Sequence, residues 1–255
     1  PPRSTLFPYT TLFRSTKEYV VGALPQFVYG VRERNRFDGH TKKVEGVSVS
    51  PEGLIVSGGE DSTIKIWNRD GKLLKTLKEH KSWVNKISFS PDGTLMATAS
   101  SDNTVKLWSF ECTNSEGDRC LKVKVELLKT LTQTDEGHSH WVTDVSFSPD
   151  RTNLVTASRD GTVKIWNQNG VLQKTISVSN NSEINEVWGV SFSPDGRRIA
   201  AAYGDTTVKL FNLDGSLQQT LRGHSKRVRS VSFSSDGKLI VSGSDDNTEI
   251  GRAHV

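Results

Sequence analysis

The sequence predicts an all-β fold built from a repeated unit, and three observations support that prediction. The composition suits short strands joined by tight turns: the 255 residues include 21 glycines and six tryptophans but one methionine, and 34% are hydrophobic. Similar segments recur at intervals near 41 residues, a period typical of repeat architectures. Within each segment apolar and polar residues alternate, as they do in half-buried strands.

Five segments of the chain are copies of one unit. They span residues 48–67, 88–108, 146–166, 191–211 and 232–248. The equivalent aspartates of the five copies are Asp61, Asp102, Asp160, Asp205 and Asp246. Their spacings of 41, 58, 45 and 41 residues indicate a base period near 41 with one large insertion, which lies between Trp108 and Thr130.

The elements of a unit follow from its alternation. In and around the first copy, apolar residues recur in groups. Turn signals such as SPEG and NRDG separate these groups. The groups are Val44, Val47 and Val49, then Ile64 and Ile66, then Leu74 and Leu77. This pattern predicts four short antiparallel strands. Because four strands cannot bury both faces of their sheet alone, the units must stack radially, as the blades of a β-propeller do.

Two further features give the repeats a family resemblance. A GH or EH dipeptide precedes a unit at Gly39-His40, Glu79-His80, Gly137-His138 and Gly223-His224. A large aromatic residue ends a unit at Trp67, Trp108, Trp166 and Phe211. Segment 38–248 therefore resembles the WD-repeat β-propellers, although Asn or Ser replaces the Asp of the namesake dipeptide. The resemblance implies an incomplete propeller of four blades and part of a fifth, with blades at about 38–79, 80–137, 138–182, 183–223 and 224–248.

The resemblance also implies a structural hydrogen-bond network in each blade. An indole N–H donates to a hydroxyl, the hydroxyl to an imidazole, and the imidazole to a carboxylate, so that buried polar groups are satisfied. The matching residues are His40, Ser57, Asp61, Trp67, His80, Thr98, Asp102, Trp108, His138, Thr156, Asp160, Trp166, Asp205, His224, Ser242 and Asp246. Several equivalent buried copies do not suit a hydrolase, which needs one exposed nucleophile beside an oxyanion hole.

Blade four departs from this network. Glu183 stands where histidine is expected, Ala201 replaces the hydroxyl residue, and Phe211 replaces tryptophan, so that Asp205 alone is kept. An apolar replacement of a whole network can be nearly neutral, because no partner is left unsatisfied. We hypothesise that this blade is the least rigid of the four.

The other three tryptophans predict a partner-binding surface. Trp83 and Trp141 follow their histidines by three residues, and Trp188 follows Glu183 by five. In this family these positions, and the residue before each aspartate, lie on the top face around the central channel. That face comprises Lys43, Glu45, Glu60, Trp83, Asn85, Ser101, Trp141, Thr143, Arg159, Glu186, Trp188, Arg227, Arg229 and Asp245. Indoles and arginines are typical of binding hot spots. The alternative is that the indoles only pack between neighbouring blades and loops.

The insertion predicts a ribbon that extends the last hairpin of blade two. Its LKVKVELL segment alternates, as strands do. Cys112 and Cys120 flank a turn rich in Asn, Ser and Gly and could approach each other across it. Two cysteines are too few for a structural zinc site. Because no signal for an oxidising compartment is present, we expect free thiols rather than a disulfide.

The motifs exclude most functional classes. The chain has no GxxxxGK[ST] loop, no GxGxxG after a strand and no HExxH motif, so we expect no enzyme and no cofactor. We expect no metal site either. Mixed charges on the outer strands make nucleic acid an improbable partner. No apolar run could span a membrane. The predicted function is a cytoplasmic, non-catalytic scaffold or sensor that binds a protein or peptide.

The segment before the first blade suggests an alternative setting for the same propeller. Residues 16–37 show apolar positions at helical spacing and predict a short helical linker or cap. The stretch FVYGVRERNRFDGH is similar to the junction before WD repeats in cyanobacterial-type proteins that join a STAND-class NTPase to a propeller. The alternative is therefore that this propeller is a regulatory appendage of an NTPase or a Ser/Thr kinase.

Both ends of the chain resemble translated sequencing adapter. Residues 1–15, PPRSTLFPYTTLFRS, resemble one reading frame of a short-read adapter, and IGRAHV at the other end resembles the opposite adapter. We therefore expect segments 1–15 and 249–255 to lie outside the fold, the first being disordered, and the natural chain to be a fragment of a larger intracellular regulatory protein.

Overall fold

The computed structural model describes residues 36–116, 119–177 and 185–253. The chain divides into residues 1–36, of which Arg36 alone is described, and residues 37–255, whose described part is a compact unit. Segment 1–15 and most of the predicted helix over 16–37 thus lie outside the described residues. At its end, Arg36 and Phe37 have no regular secondary structure.

The described part of the larger unit forms five antiparallel sheets of consecutive strands. Blade one contains β1 (Val44–Val49), β2 (Ile55–Gly59), β3 (Ile64–Trp67) and β4 (Leu73–Leu77). Blade two contains β5 (Val84–Phe89), β6 (Leu95–Ser100), β7 (Val105–Glu116) and β8 (Arg119–Leu131). A single 3-10 turn, Gln133–Asp135, follows blade two.

Blade three contains β9 (Val142–Phe147), β10 (Asn153–Ser158), β11 (Thr162–Asn167) and β12 (Leu172–Ser177). Blade four contains β13 (Val187–Phe192), β14 (Arg198–Tyr203), β15 (Val208–Asn212) and β16 (Leu217–Leu221). Blade five contains β17 (Val228–Phe233), β18 (Leu239–Ser244) and β19 (Glu249–Ala253). The first strands of successive blades are neighbours. The predicted all-β propeller architecture is confirmed.

The turn between the first two strands of a blade is built from its own side chains. In blade two the Ser90 hydroxyl donates to Asp92 at 2.6 Å and accepts the Leu95 N–H at 2.9 Å. Gly93 closes this turn at a φ of 74°, a left-handed conformation that costs glycine little. The SPDG motif of the repeats is therefore the signal that ends one strand and begins the next.

The hydrophobic core consists of four layers, each shared by two consecutive blades. Between blades one and two, for example, Val56 and Ile66 pack in one cluster with Val84 and Ile87. Equivalent clusters join blades two and three, three and four, and four and five. Burying one such side chain stabilises the fold by about 1.5–3 kcal/mol. Each blade is therefore stabilised mainly by its neighbours.

The two end blades expose the faces that other blades bury. In blade one, Val47 is 49% exposed, whereas its equivalent Ile87 in blade two is 2% exposed. In blade five, Val241 is 44% exposed, whereas its equivalent Val155 is fully buried. Val44, Val49 and Leu239 are exposed beside them. Blades one and five thus each present an apolar sheet face to solvent.

The predicted ribbon is formed by the ends of β7 and β8. These strands pair from Val105 and Leu131 out to Glu116 and Arg119. One side of the ribbon, including Val123 and Val125, is buried in the cluster between blades one and two. The Lys75 ammonium of blade one also donates to the Val125 carbonyl at 3.2 Å. The insertion therefore braces blade two against blade one.

The expectation of free thiols is wrong. Cys112 and Cys120 form a disulfide, with their Cα atoms 5.9 Å apart. The pairing of β7 with β8 places Ser115 opposite Cys120 and Cys112 opposite Val123, so the cysteines are not direct partners in the ladder. The disulfide forms where the register is irregular, between Cys112 and Ser115. The expectation had relied on compartment, whereas the distance across a hairpin decides whether two cysteines can be joined.

The expectation that 249–255 lies outside the fold is also corrected in part. Glu249–Ala253 pairs with β18 over five residue pairs, with Ser242 opposite Ile250. Backbone N–H and C=O groups can pair whatever side chains they carry, so an atypical sequence can still form an edge strand. In register, Arg252 stands where Trp67, Trp108 and Trp166 end the third strands of other blades.

Candidate functional site

A chain of four hydrogen-bonded side chains crosses each of the first three blades. In blade two, the Trp108 indole donates to the Thr98 hydroxyl at 3.0 Å, and His80 Nε2 lies 2.8 Å from the same hydroxyl. His80 Nδ1 lies 2.8 Å from the Asp102 carboxylate. The same contacts join His40, Ser57, Asp61 and Trp67, and His138, Thr156, Asp160 and Trp166. Each chain links the segment before the first strand to the second and third strands.

Blade five forms part of this chain. His224 Nε2 lies 2.9 Å from the Ser242 hydroxyl, and His224 Nδ1 lies 3.0 Å from Asp246. Ser242 is 5% exposed, so the hydrogen bond between its hydroxyl and the imidazole satisfies a buried polar group. The structure therefore brings together the three predicted residues of this blade.

A fifth residue of the chain was missed by sequence reasoning. Thr104 donates its hydroxyl to Asp102 at 2.6 Å and its backbone N–H to the same oxygen at 3.0 Å. The equivalent hydroxyls are those of Thr63, Thr162, Thr207 and Thr248. The signal was present, because a threonine follows every repeat aspartate by two residues. An aspartate followed by Thr at this spacing closes a short local turn.

The aspartates of these chains are strongly stabilised as carboxylates. Burial disfavours the charge of Asp102, but hydrogen bonds from His80 and Thr104 outweigh it and hold the pKa of Asp102 well below its usual range. Asp160 behaves alike: burial is outweighed by hydrogen bonds from His138 and Thr162, and its pKa is lowered. Burial lowers the pKa of His138, which favours a neutral imidazole.

Acid should therefore destabilise the fold through these aspartates. We expect the free energy of unfolding to fall as the pH drops below about 4, the ordinary pKa of an unfolded aspartate. Below that pH the unfolded chain binds protons that folded Asp102 and Asp160 do not, so protonation favours unfolding. Urea midpoints measured between pH 6 and pH 3 test this. Asp102→Asn should flatten the pH dependence; an unchanged slope in that variant would contradict the assignment.

The same chains cannot act as catalytic triads in this form. Thr98 and Thr156 are fully buried, and each hydroxyl already contacts an indole and an imidazole. A nucleophile must reach its substrate beside an oxyanion hole. The arrangement instead fixes the second and third strands of a blade to the segment that enters it.

Blade four replaces the chain with a lysine. Lys209 donates to Asp205 at 2.5 Å and to the Thr207 hydroxyl at 2.8 Å. Its ammonium also lies 3.9 Å from the ring centroid of Tyr203. Ala201 and Phe211 are buried, as an apolar replacement requires; Glu183 lies outside the described residues. Asp205 thus keeps a charged partner, although not the imidazole of the other blades.

One backbone hydrogen bond per blade assembles the predicted top face. The N–H of the residue before each repeat aspartate donates to the carbonyl of the residue just before the first strand. The pairs are Glu60 with Lys43, Ser101 with Trp83, Arg159 with Trp141, Gly204 with Glu186, and Asp245 with Arg227. Residues about 18 apart in sequence therefore lie side by side, and their side chains share one edge of each blade.

Aromatic rings and guanidinium groups form a continuous ladder along this edge. The Trp83 and Trp141 rings are 6.0 Å apart at an interplanar angle of 44°. Arg159 lies 4.6 Å from the Trp141 ring and 5.2 Å from the Trp188 ring. Arg227 and Arg229 lie 4.7 and 4.2 Å from Trp188. The ladder thus joins blade two to blade five.

Polar side chains on the first strands tie neighbouring blades together beneath the ladder. The Asn85 amide donates to the Val142 carbonyl at 2.8 Å and to the Ser101 hydroxyl at 3.0 Å. The Thr143 hydroxyl donates to the Val187 carbonyl at 2.7 Å. These bonds hold the indoles of consecutive blades at fixed separations.

The blade-one end of the face is acidic. The Lys43 ammonium lies 3.6 Å from Glu60. Burial, a hydrogen bond to Glu60 and repulsion from that carboxylate raise the pKa of Glu45, against the opposing effect of Lys43. The face therefore changes character along its length, from two carboxylates and one ammonium at blade one to three guanidiniums and two carboxylates over blades three to five.

The part of the chain that the structure describes comprises residues 36–116, 119–177 and 185–253. Within these ranges no three His, Cys, Asp or Glu side chains are grouped so as to hold a metal ion. No helix in the same ranges is long and apolar enough to cross a membrane. The exposed indoles and guanidiniums of the top face make it the candidate site.

Comparison with known proteins agrees with this architecture. The family model described as "WD domain, G-beta repeat" matches residues 32–68, 71–109, 127–167, 172–212 and 215–248. A nuclear distribution protein nudF from Aspergillus flavus is 36% identical over 138 residues, covering 52% of this chain and 27% of the relative.

Two other relatives show the same partial coverage. A nuclear distribution protein PAC1 from Yarrowia lipolytica is 29% identical over 148 residues, covering 50% of this chain and 30% of the relative. A small ribosomal subunit protein RACK1y from Oryza sativa subsp. japonica is 31% identical over 139 residues, covering 54% and 38%. The chain thus spans less than two fifths of the length of each of these curated relatives.

Proposed function

This chain belongs to the WD-repeat (G-beta repeat) family, and on that premise we propose that it is a non-catalytic protein-interaction module, a scaffold or sensor. Its partner binds on the top face, over the ladder that runs from Trp83 to Arg229. No cofactor is required for this activity. The names of its relatives, a ribosomal subunit protein and nuclear distribution proteins, are compatible with assembly into larger complexes.

The observation that carries this proposal is the accessibility of the ladder. Trp83 is 39% exposed and Trp141 is 36% exposed, although large aromatic residues in this fold are otherwise mostly buried. Their rings are held in place by each other and by Arg159. A preordered, exposed aromatic pair loses little entropy on binding and buries a large apolar area, which is typical of hot spots.

The same contacts give the alternative, that the indoles only stabilise the packing between blades two and three. The two hypotheses differ in what removal of the rings would change. If the indoles serve packing alone, removing them should lower the stability of the fold. If they serve partner binding, removing them should weaken binding and change the stability little.

We expect Trp83→Ala combined with Trp141→Ala to weaken binding of peptides selected on the wild-type protein by at least tenfold. Thermal unfolding should change little, because both rings are more than one-third exposed. Isothermal titration and calorimetry of both proteins test this. Leu128→Ala combined with Leu217→Ala is the matched control, since these side chains are exposed on outer strands away from the ladder. An equally large loss of stability in the tryptophan variant would favour packing instead.

A second proposal concerns the whole protein. The likeness of residues 27–40 to the junction in STAND-class proteins supports a regulatory propeller attached to an NTPase or a Ser/Thr kinase. Sequencing the gene from its source DNA tests this. An in-frame GxxxxGK[ST] loop or kinase catalytic motif upstream would support it, whereas further repeats alone would favour an independent scaffold. The same sequence would decide whether 1–15 and 249–255 derive from adapter.

A further inference from the structure

Three arginine side chains surround one indole of the top face. Arg159, Arg227 and Arg229 place their guanidinium carbons 5.2, 4.7 and 4.2 Å from the Trp188 ring. The three arginines come from blades three and five, and Trp188 comes from blade four. Stacking on one ring holds the guanidiniums close together despite their like charge.

Hydrogen-bond donors outnumber acceptors in this arginine cluster. Arg159 is paired with Glu186, and Arg229 donates to Asp245 at 2.8 Å. Arg227 reaches Glu186 only at 4.0 Å. Three cations thus face two carboxylates, and the buried indole N–H of Trp188 has no acceptor among the described residues. A guanidinium has five N–H donors, so much of the donor capacity is unused.

The cluster is accessible to a partner. The side chains of Arg227 and Arg229 are 38% and 44% exposed. The ladder continues from Arg159 to the exposed Trp141 and Trp83 rings. A bound segment could therefore contact the guanidiniums and the indoles at once.

We propose that the arginine cluster is the subsite for a carboxylate side chain of an acidic peptide segment whose neighbouring apolar side chain packs on Trp83 and Trp141. This inference rests on the proposed function of the same face. Guanidinium groups bind carboxylates through paired, charge-assisted hydrogen bonds. The carboxylates of Glu45 and Glu60 at the blade-one end repel acid, so the acidic residue lies toward blade five.

The charge pattern favours a peptide over a nucleic acid. A phosphate backbone carries a negative charge at every nucleotide and needs an extended basic surface. Here Glu186 and Asp245 lie within the cluster, and Glu45 and Glu60 lie at the other end of the face. A partner with one localised acidic group and apolar neighbours matches this pattern better than a polyanion.

Selection from a display library of random linear peptides on the complete 255-residue chain tests the proposal. We expect the selected peptides to be enriched in Asp or Glu beside a large apolar residue. Arg227→Gln combined with Arg229→Gln should weaken such a peptide about tenfold or more. The same peptide with its acid changed to an amide should bind wild type and variant equally.

The control variant removes two positive charges elsewhere. This control is Arg197→Gln combined with Lys238→Gln. The two residues lie in the turns that follow the first strands of blades four and five, and the double substitution should leave peptide binding unchanged. Selected peptides that depend on Trp83 and Trp141 but lack acidic residues would overturn this inference and leave the proposed function standing. Acidic peptides that bind independently of both tryptophans would contradict the proposed function. A single-stranded oligonucleotide bound more tightly than any peptide through Arg227 would overturn the peptide assignment.

Discussion

Asp102→Ala is expected to lower the free energy of unfolding by about 3–5 kcal/mol, a large loss for a single substitution. The carboxylate accepts hydrogen bonds from His80 Nδ1, the Lys81 N–H and both donors of Thr104. Alanine leaves the imidazole N–H buried without an acceptor, and His80 is 5% exposed. Through His80 the loss extends to Thr98 and Trp108 at the blade centre.

Asp214→Ala is the matched control for this prediction. Asp214 also accepts from a hydroxyl and an N–H two residues later, both of Ser216, but it does so at the surface of a turn. Its removal should change stability little. Chemical unfolding of the two variants and the wild type, followed by tryptophan fluorescence, gives the comparison. Equal losses in both variants would show that the local turn, and not the buried chain of side chains, carries the stability.

The chain is expected to associate with itself at micromolar concentration through the faces of its end blades. Val47 and Val241 are 49% and 44% exposed, and they lie on the two kinds of face that meet at every internal blade boundary. The face of blade five on one copy therefore complements the face of blade one on the next. Such a head-to-tail contact leaves one free face at each end of the assembly until a ring closes, so it can continue to larger assemblies.

Either Val47→Lys or Val241→Lys alone should restore a monomer, because each blocks one side of the same contact. Size-exclusion chromatography with light scattering measures the outcome. Leu128→Lys is the control, since Leu128 is 56% exposed on the ribbon and belongs to neither face. A sharp monomeric peak for the wild-type chain would contradict the prediction.

The strand order and the buried hydrogen-bonded chains could be predicted because both repeat. Four of the five copies place a histidine, a hydroxyl residue and an aspartate at positions equivalent to His80, Thr98 and Asp102, so one copy supports the interpretation of the others. Blade four broke the repeat, and its Lys209 contact with Asp205 was not predicted. A lysine stands at this position of the repeat in blades one to four, but in blades one to three it contacts a threonine of the fourth strand. Its repetition therefore did not indicate a contact with the aspartate.

Contacts across blades could not be predicted from spacing. Arg159 and Arg229 contact the same indole although they are 70 residues apart in sequence. Their contact depends on the orientation of neighbouring blades, which the spacing of residues does not give. The disulfide was missed for a different reason: cellular compartment was weighed, whereas hairpin register decides the separation of Cys112 and Cys120. The predicted helix over 16–37 stays a prediction, because most of it lies outside the described residues.

Each buried hydrogen-bonded chain closes within one blade, and this has an evolutionary consequence. In blade three, His138, Thr156, Asp160 and Trp166 satisfy one another without any residue from blades two or four. Duplication or deletion of one whole unit in the gene would therefore leave every such four-residue chain intact. The apolar layers and the polar contacts between first strands would need to meet a new neighbour, and all blades present similar apolar layers. Copy number can then drift by unequal recombination while every surviving unit remains foldable.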